Sequence, residues 1–311
     1  MEPGNCENYF SQLRQAKAWN GVSAVIIGRS LEENFDTCLL DALAVAASRS
    51  ARRDLEIHRL VPGAAPIRHA SSEPSREGLA LGNWLSNEVM AGGERDAEEQ
   101  RVSPEDLEYL YGSGGRRASA LMKLLRANYA GRRFGDVVDL GAGIGFISCL
   151  VAMQPEFGIR RTVLVEPKSM RVAQGTRLWT SNGSRSPEDF RFARMTMQKF
   201  PFPEPVDLAI ICQSLFYVPA EILPGFIQRA WNALHPGGLF VINERLADGP
   251  GEAKRKHGAH SLLQRERLMA LLAAHAPPRV YQRRDGWAHA RDPMKIAAAE
   301  LSADSFLVLE K

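Results

Sequence analysis

Cysteine is scarce in this 311-residue chain: Cys6, Cys38, Cys149 and Cys212 are widely spaced, with no CxxC pair among them. That pattern excludes a disulfide framework or a cysteine zinc site, and the thiols read as reduced and cytosolic. Long apolar runs are missing too. No stretch approaches the about eighteen consecutive apolar residues of a membrane span. The opening "MEPGNCENYF" also lacks the basic start and apolar run of a secretory leader. The expectation is a cytoplasmic protein with no membrane partner.

A dominant charge of one sign is also lacking. The formal net charge is +3; residues 1–130 hold 15 Lys/Arg against 18 Asp/Glu and residues 131–311 hold 24 against 18, balances of −3 and +6. No dense basic stripe, zinc finger or aromatic-plus-basic platform is visible, which argues against a nucleic-acid partner. The mild basicity of the later part suits an anionic ligand. What is present, 45% hydrophobic and 24% charged residues, is an ordinary globular composition, enough for one large domain or two modest ones.

Two polar, Pro/Gly/Ser-containing stretches, Val61 to Gly78 and Ala91 to Asp106, read as loops. Before them, "SAVIIG" from Ser23 suits a short strand and Leu31 to Arg49 has helical apolar spacing. From Pro104 the pattern tightens, with a helix expected from about Arg116 to Tyr129, closed by Gly131. Apolar strand-like runs then alternate with helical ones: "DVVDLG", "TVLVEP", "FRFARMT", "VDLAIICQ" and "GGLFVINE" as strands, and "GFISCLVAMQ", "SMRVAQGTRLWTSN" and "EILPGFIQRAWNAL" as helices. Such alternation marks a parallel sheet covered on both faces. The tail adds a helix in "HSLLQRERLMALLAAHA" and two edge strands, "RVYQRR" and "DSFLVLEK".

The chemistry centres on "VVDLGAGIGFISC", Val137 to Cys149. A dinucleotide grip wants GxGxxG or GxGxxA, but Gly141, Gly143 and Gly145 are followed by Phe146, whose ring opposes close helix packing. A phosphate loop needs a lysine that does not occur here. Asp139, two positions before the first glycine, would repel a pyrophosphate and favour a cation such as the α-ammonium of a methionine moiety. Glu166, 27 residues on at the end of the next strand, can accept both hydroxyls of a ribose.

On these motifs, residues from about 130 to 311 resemble a class I S-adenosylmethionine-dependent methyltransferase. "VVDLGAGIGF" is similar to its first motif, "VLVEP" to its ribose acid, "MQKFPFPEPVDLAIICQSLFYVP" to its turn and fourth strand, and "LHPGGLFVINE" to its fifth. The resemblance implies a Rossmann-like, doubly wound, mostly parallel seven-stranded sheet with the last strand antiparallel. It implies S-adenosylmethionine as cofactor, held by Asp139, Gly141, Gly143, Gly145, Glu166 and Pro167, with Thr196 and Met197 at the adenine and Gln213 near the methionine moiety. Tyr111 or Arg117, in a segment where related enzymes place a lid helix, would reach the methionine carboxylate. Thr196 and Met197 depart from the family, which often places Asp there.

The expected activity is O- or N-methylation of a small organic acceptor, with no metal. Methyl transfer from a sulfonium is an in-line displacement that leans on proximity, so a general base is not obligatory. The resemblance places His257 and His260, in the loop after the fifth strand, and Tyr217, after the fourth, at the acceptor as candidate catalytic residues. Transfer of the aminocarboxypropyl arm, RNA methylation and a silent partner-binding scaffold are the alternatives. Residues 1–103 would form an extension before a 104–311 catalytic domain, serving as acceptor cover or homodimer surface.

Overall fold

The computed structural model describes residues 24–27, 56–59, 67–68, 114–152, 154–180, 189–202, 205–247, 256–257, 260–261, 263–282, 285–296 and 305–311. The chain falls into two compact units, Met1–Ser119 with Ala173–Ser186, and Ala120–Val172 with Pro187–Lys311. In the first, β1 (Ala24–Ile27) pairs parallel with β2 (Glu56–Arg59), which pairs antiparallel with β3 (Ile67–Arg68). The strand expected in "SAVIIG" is there, and β3 lies inside a stretch read as loop. The helix expected over Leu31 to Arg49 lies outside the described residues.

Helix α1 (Gly115–Asn128) ends before Gly131, whose left-handed φ of 80° releases the chain toward the first strand of the large sheet. That sheet, in the second unit, has β4 (Asp136–Leu140) at its centre. On one side lie β5 (Arg161–Val165) and then β6 (Phe190–Ala193). On the other lie β7 (Val206–Cys212), β8 (Leu234–Asn243), β14 (Ser305–Glu310) and finally β13 (Arg279–Gln282). All neighbours from β6 to β8 run parallel, and β14 is antiparallel to both β8 and β13. Seven strands, mostly parallel with the last reversed, are what the sequence led us to expect. One placement is corrected: "DSFLVLEK" is an interior strand and not an edge. Five of its six residues are buried, as an apolar run flanked on both sides requires.

Period-two alternation divides the strands between two faces. Val138 and Leu140 of β4, Ala209 and Ile211 of β7, Phe240 and Ile242 of β8, and Leu307 and Leu309 of β14 join one apolar cluster. The opposite face receives α2 (Phe146–Ala152), all seven residues of which are buried. Helix α3 (Ser169–Thr180) follows β5 in the chain. Helix α4 (Leu223–Ala233) adds Leu223, Phe226, Ile227 and Ala230 to the first cluster at helical spacing, and α5 (Arg265–Ala273) adds Leu268, Met269 and Leu272. Pro224 sits in the first turn of α4, where a missing N–H leaves no bond unmade.

Helix α5 starts at Arg265, later than expected. The preceding residues form short strands instead: β12 (Leu263–Gln264) pairs parallel with β9 (Leu246–Ala247) just beyond the end of β8. Tertiary pairing overrides helical periodicity there.

Phe240 is fully buried at the middle of β8. Phe240→Ala is expected to lower the unfolding free energy by about 3–5 kcal/mol in a urea titration. Arg160→Ala should change it by less than about 1 kcal/mol, because the largely exposed Arg160 meets Asp136 only at 3.6 Å.

Candidate active site

The carboxyl ends of β4, β5, β7 and β8 converge on the turn from β4 into α2, the position at which open α/β sheets bind ligands. The main-chain N–H groups of Gly141 and Ala142 both donate to the carbonyl of Val165, at 2.9 and 3.0 Å, so the turn folds over the end of β5. Gly141, Gly143 and Gly145 all take left-handed φ angles, of 81°, 60° and 80°. Their surroundings differ. A Cβ on Gly141 would lie 2.5 Å from Ser214 Oγ and 3.0 Å from Met197 Cε, and one on Gly145 would lie 2.6 Å from Leu164 Cδ1. Those two glycines let side chains close in. A Cβ on Gly143 would meet only Arg171 Nη1, at 3.9 Å, so the middle glycine presents bare backbone to open space.

Asp139 is buried, its carboxylate accepting a hydrogen bond from Ser148 Oγ on the first turn of α2. Burial lifts its pKa from 3.8 to about 7; the Ser148 hydroxyl opposes that rise and the negative Glu166 adds to it. Asp139 therefore changes charge near neutrality, and a cation nearby would draw it toward the ionised form.

Glu166 is also buried, immediately after β5. One carboxylate oxygen accepts the Gly143 N–H and the other the Lys168 N–H, both at 3.0 Å. A carboxylate has about four acceptor sites, so roughly two stay available for a ligand's hydroxyl pair. Glu166 thus ties the middle of the glycine turn to the second strand while keeping acceptor capacity.

Across β4, the end of β7 is equally organised. Gln213 has a left-handed φ of 51°, rare for a residue with a side chain. Its neighbour Ser214 donates Oγ to the Leu140 carbonyl at 2.9 Å, which brings the end of β7 against the glycine turn. The N–H of Leu215 donates to buried Glu244 at 2.8 Å, and the other Glu244 oxygen accepts the Arg245 N–H. Glu244 thereby fastens the single turn Leu215–Tyr217 to the end of β8.

The structure brings Asp139, Gly141, Gly143, Gly145, Glu166, Met197 and Gln213 to this one edge. Pro167, Thr196 and Tyr217 flank it as exposed residues; the Thr196 side chain makes no capping hydrogen bond to the turn it precedes, and Met197 beside it is buried. Tyr217 is half exposed, and its carbonyl accepts Gln198 Nε2 at 2.7 Å. His257 in β10 (Lys256–His257) pairs across an antiparallel bridge with His260 in β11 (His260–Ser261), and β11 lies beside the turn Leu215–Tyr217. Tyr111 lies outside the described residues. Among those described, no cluster of His, Cys, Asp and Glu could hold a metal, and no helix is long and apolar enough to cross a membrane.

Sequence reasoning missed Ser148, Asn243 and Glu244. Their only signal was position: each is a polar residue at the edge of an apolar strand or helix, where burial obliges it to find a partner.

This edge of a doubly wound sheet carries a glycine turn, an acid with acceptor capacity on the second strand and a buried acid on the first. Residues 137–238 match the family model described as "Methyltransferase domain", a span from β4 to the glycines before the apolar half of β8. Over that span, about a third of its length, the chain is similar to methyltransferase domains. No curated protein matches it.

Several solved structures resemble it in shape. The O-methyltransferase from a trans-AT PKS multienzyme of Brevibacillus brevis, in complex with S-adenosyl-L-homocysteine, is 16% identical, with 66% of this chain and 76% of that one covered at a TM-score of 0.46. A S-adenosylmethionine-dependent methyltransferase from Clostridium acetobutylicum is 12% identical, with 62% and 89% covered and a TM-score of 0.45. The 1,6-didemethyltoxoflavin-N1-methyltransferase of Burkholderia thailandensis is 19% identical, with 63% and 78% covered and a TM-score of 0.42.

The raised pKa of Asp139 sets a linkage. Its neutral form is favoured by folding, so its contribution to stability is present in full below 3.8 and is lost as pH rises through about 7. Asp139→Asn cannot ionise. In the ligand-free protein its advantage over wild type should grow between pH 4 and pH 8, by a few kcal/mol, since each tenfold change in proton affinity is worth about 1.4 kcal/mol. Urea melts at several pH values would reveal it, and a difference independent of pH would refute the assignment.

Proposed function

We propose that this enzyme transfers the methyl group of S-adenosylmethionine to oxygen or nitrogen of a small organic acceptor, bound where the turn Leu215–Tyr217 meets the hairpin of β10 and β11. One observation carries the reading. The segment that follows β7 touches the cofactor turn through Ser214, and three residues later exposes Tyr217 beside β11, so donor and acceptor places are contiguous along one stretch of chain.

The residues present suit the donor. Gly143 leaves its backbone uncovered where a ligand would lie along the turn, and Glu166 has acceptor sites for the two ribose hydroxyls. Met197, packed beside Gly141, offers an apolar surface for a base, with the Thr196 hydroxyl exposed next to it. Gln213 lies at the methionine end, and the buried Asp139 supplies negative potential beneath the turn. Pro167 lies exposed beside the ribose acid, and the lid role of Tyr111 belongs to this reading as well.

Bound S-adenosylmethionine supplies an already activated methyl group on sulfur. The protein's task is then to hold the acceptor atom in line and close to it. Tyr217 borders that place, and His257 or His260 takes the acceptor's proton when its nucleophile is a hydroxyl or an ammonium. Residues 1–103 act as a cover for the acceptor or as a homodimer surface, before a catalytic domain at 104–311.

Calorimetry with S-adenosylhomocysteine tests the donor site. Binding is expected in wild type, with at least about tenfold loss in Glu166→Ala, where two acceptor bonds to the ribose disappear. Tyr217→Ala, His257→Ala and His260→Ala should keep that affinity while lowering turnover of the acceptor, with the loss relative to wild type in His257→Ala or His260→Ala smallest at acid pH, where an imidazole is protonated and cannot act as base, and largest at neutral to alkaline pH. The product must gain one methyl; a gain of the larger aminocarboxypropyl arm would replace the reaction proposed.

A further inference from the structure

Asn243, the last residue of β8, is fully buried although its side chain is polar, and its amide has a fixed orientation. The carbonyl of Ser305 in β14 can only accept, and it lies 2.7 Å from Asn243 Nδ2. The amide nitrogen therefore faces β14, and Oδ1 faces the opposite way, toward β7. There it meets Gln213 Nε2 at 3.2 Å, with the Asn243 main-chain carbonyl 3.4 Å from the same nitrogen. Gln213 must donate to these two acceptors, so its own amide is oriented in turn, with Oε1 directed away from Asn243. The Gln213 main-chain N–H also donates to the Asn243 carbonyl, at 2.7 Å, which holds the residue in its left-handed conformation. A main-chain oxygen in the seventh strand of the large sheet thus determines, through two amides, which end of a partly exposed Gln213 faces outward.

An outward amide oxygen accepts; it needs a ligand with an N–H or O–H donor, and a positively charged one best of all. The sheet order says which part of a ligand comes there. Glu166 stands at the end of β5, on one flank of β4, and Gln213 at the end of β7, on the other. A molecule whose ribose sits at Glu166 and which follows the glycine turn across β4 delivers its amino-acid end to Gln213.

We propose that Asn243 is a positioning residue that turns Gln213 Oε1 toward the α-ammonium of the methyl donor, and so makes the site select nucleosides that carry an amino-acid end. The inference rests on S-adenosylmethionine being the donor. Asn243 itself touches no ligand; it acts through Gln213.

The test compares two probes in calorimetry, S-adenosylhomocysteine and 5′-methylthioadenosine, which shares adenine, ribose and thioether but has no amino-acid end. Asn243→Leu should weaken the first about tenfold, the size of a lost hydrogen bond to a charged group, and leave the second within about twofold. Gln213→Gly, which keeps the left-handed backbone and its N–H, should show the same selective loss. The double variant should be no worse than Gln213→Gly alone, because both changes remove one interaction. Equal losses for both probes in Asn243→Leu, or an unchanged ratio in Gln213→Gly, would overturn the proposal. If Asn243→Leu does not fold, Asn243→Ser removes the same acceptor with less disturbance and the same ratio decides. Wild-type protein that binds neither probe would instead sink the donor reading, and this inference with it.

Discussion

Two hydrogen bonds to a single oxygen set the geometry of this protein. The Val165 carbonyl takes the N–H groups of both Gly141 and Ala142, which bends the chain sharply over the end of β5 as it leaves β4. Because the bend passes so close to its neighbours, Gly141 and Gly145 have no room for a Cβ. Everything at the edge follows from that closeness. Ser214 can reach the Leu140 carbonyl, Met197 can lie on the turn, and Glu166 can grip Gly143 from the adjacent strand. A turn of ordinary width would separate these groups and leave no common floor for a ligand.

The polar residues at that edge are held under unusual conditions. Asp139, Glu166, Asn243 and Glu244 are all buried, and main-chain N–H groups donate to Glu166 and Glu244 while the Ser148 hydroxyl donates to Asp139. Main-chain donors are fixed by the sheet and cost little reorganisation when a ligand arrives. The result is a negative, pre-arranged surface under a turn whose middle residue is bare. Such a surface suits a ligand that is cationic at one end and rich in hydroxyls in the middle.

Much of this was legible in the sequence because it depends on local pattern. The apolar runs of β4, β5, β7 and β8 announce a covered parallel sheet, and Asp139, the three glycines and Glu166 lie within a span of 28 residues that alternation alone arranges side by side. The reversed last strand came from family likeness, and its interior place was misjudged, since "SFLVLE" looks the same at an edge or inside until its two neighbours are known. Helix α5 was begun too early because the pairing of Leu263 with Leu246 is invisible to a periodicity argument. The amide chain from Ser305 through Asn243 to Gln213 was beyond reach for a similar reason. Its links span 62 and 30 residues, and neither end carries a recognisable motif.

The parallel pairing of β9 with β12 joins residues 246–247 to 263–264, so the chain leaves and re-enters the fold at the same place. That pairing makes the chain between them a detour closed at its neck. Lengthening such a detour adds little entropy cost, since closure grows only with the logarithm of its length. Evolution can therefore rewrite residues 248–262 by insertion or deletion without retuning the cofactor floor. Under the proposed function, a change of acceptor would be recorded there first, as a change in loop length, while Asp139 and Glu166 stayed where they are.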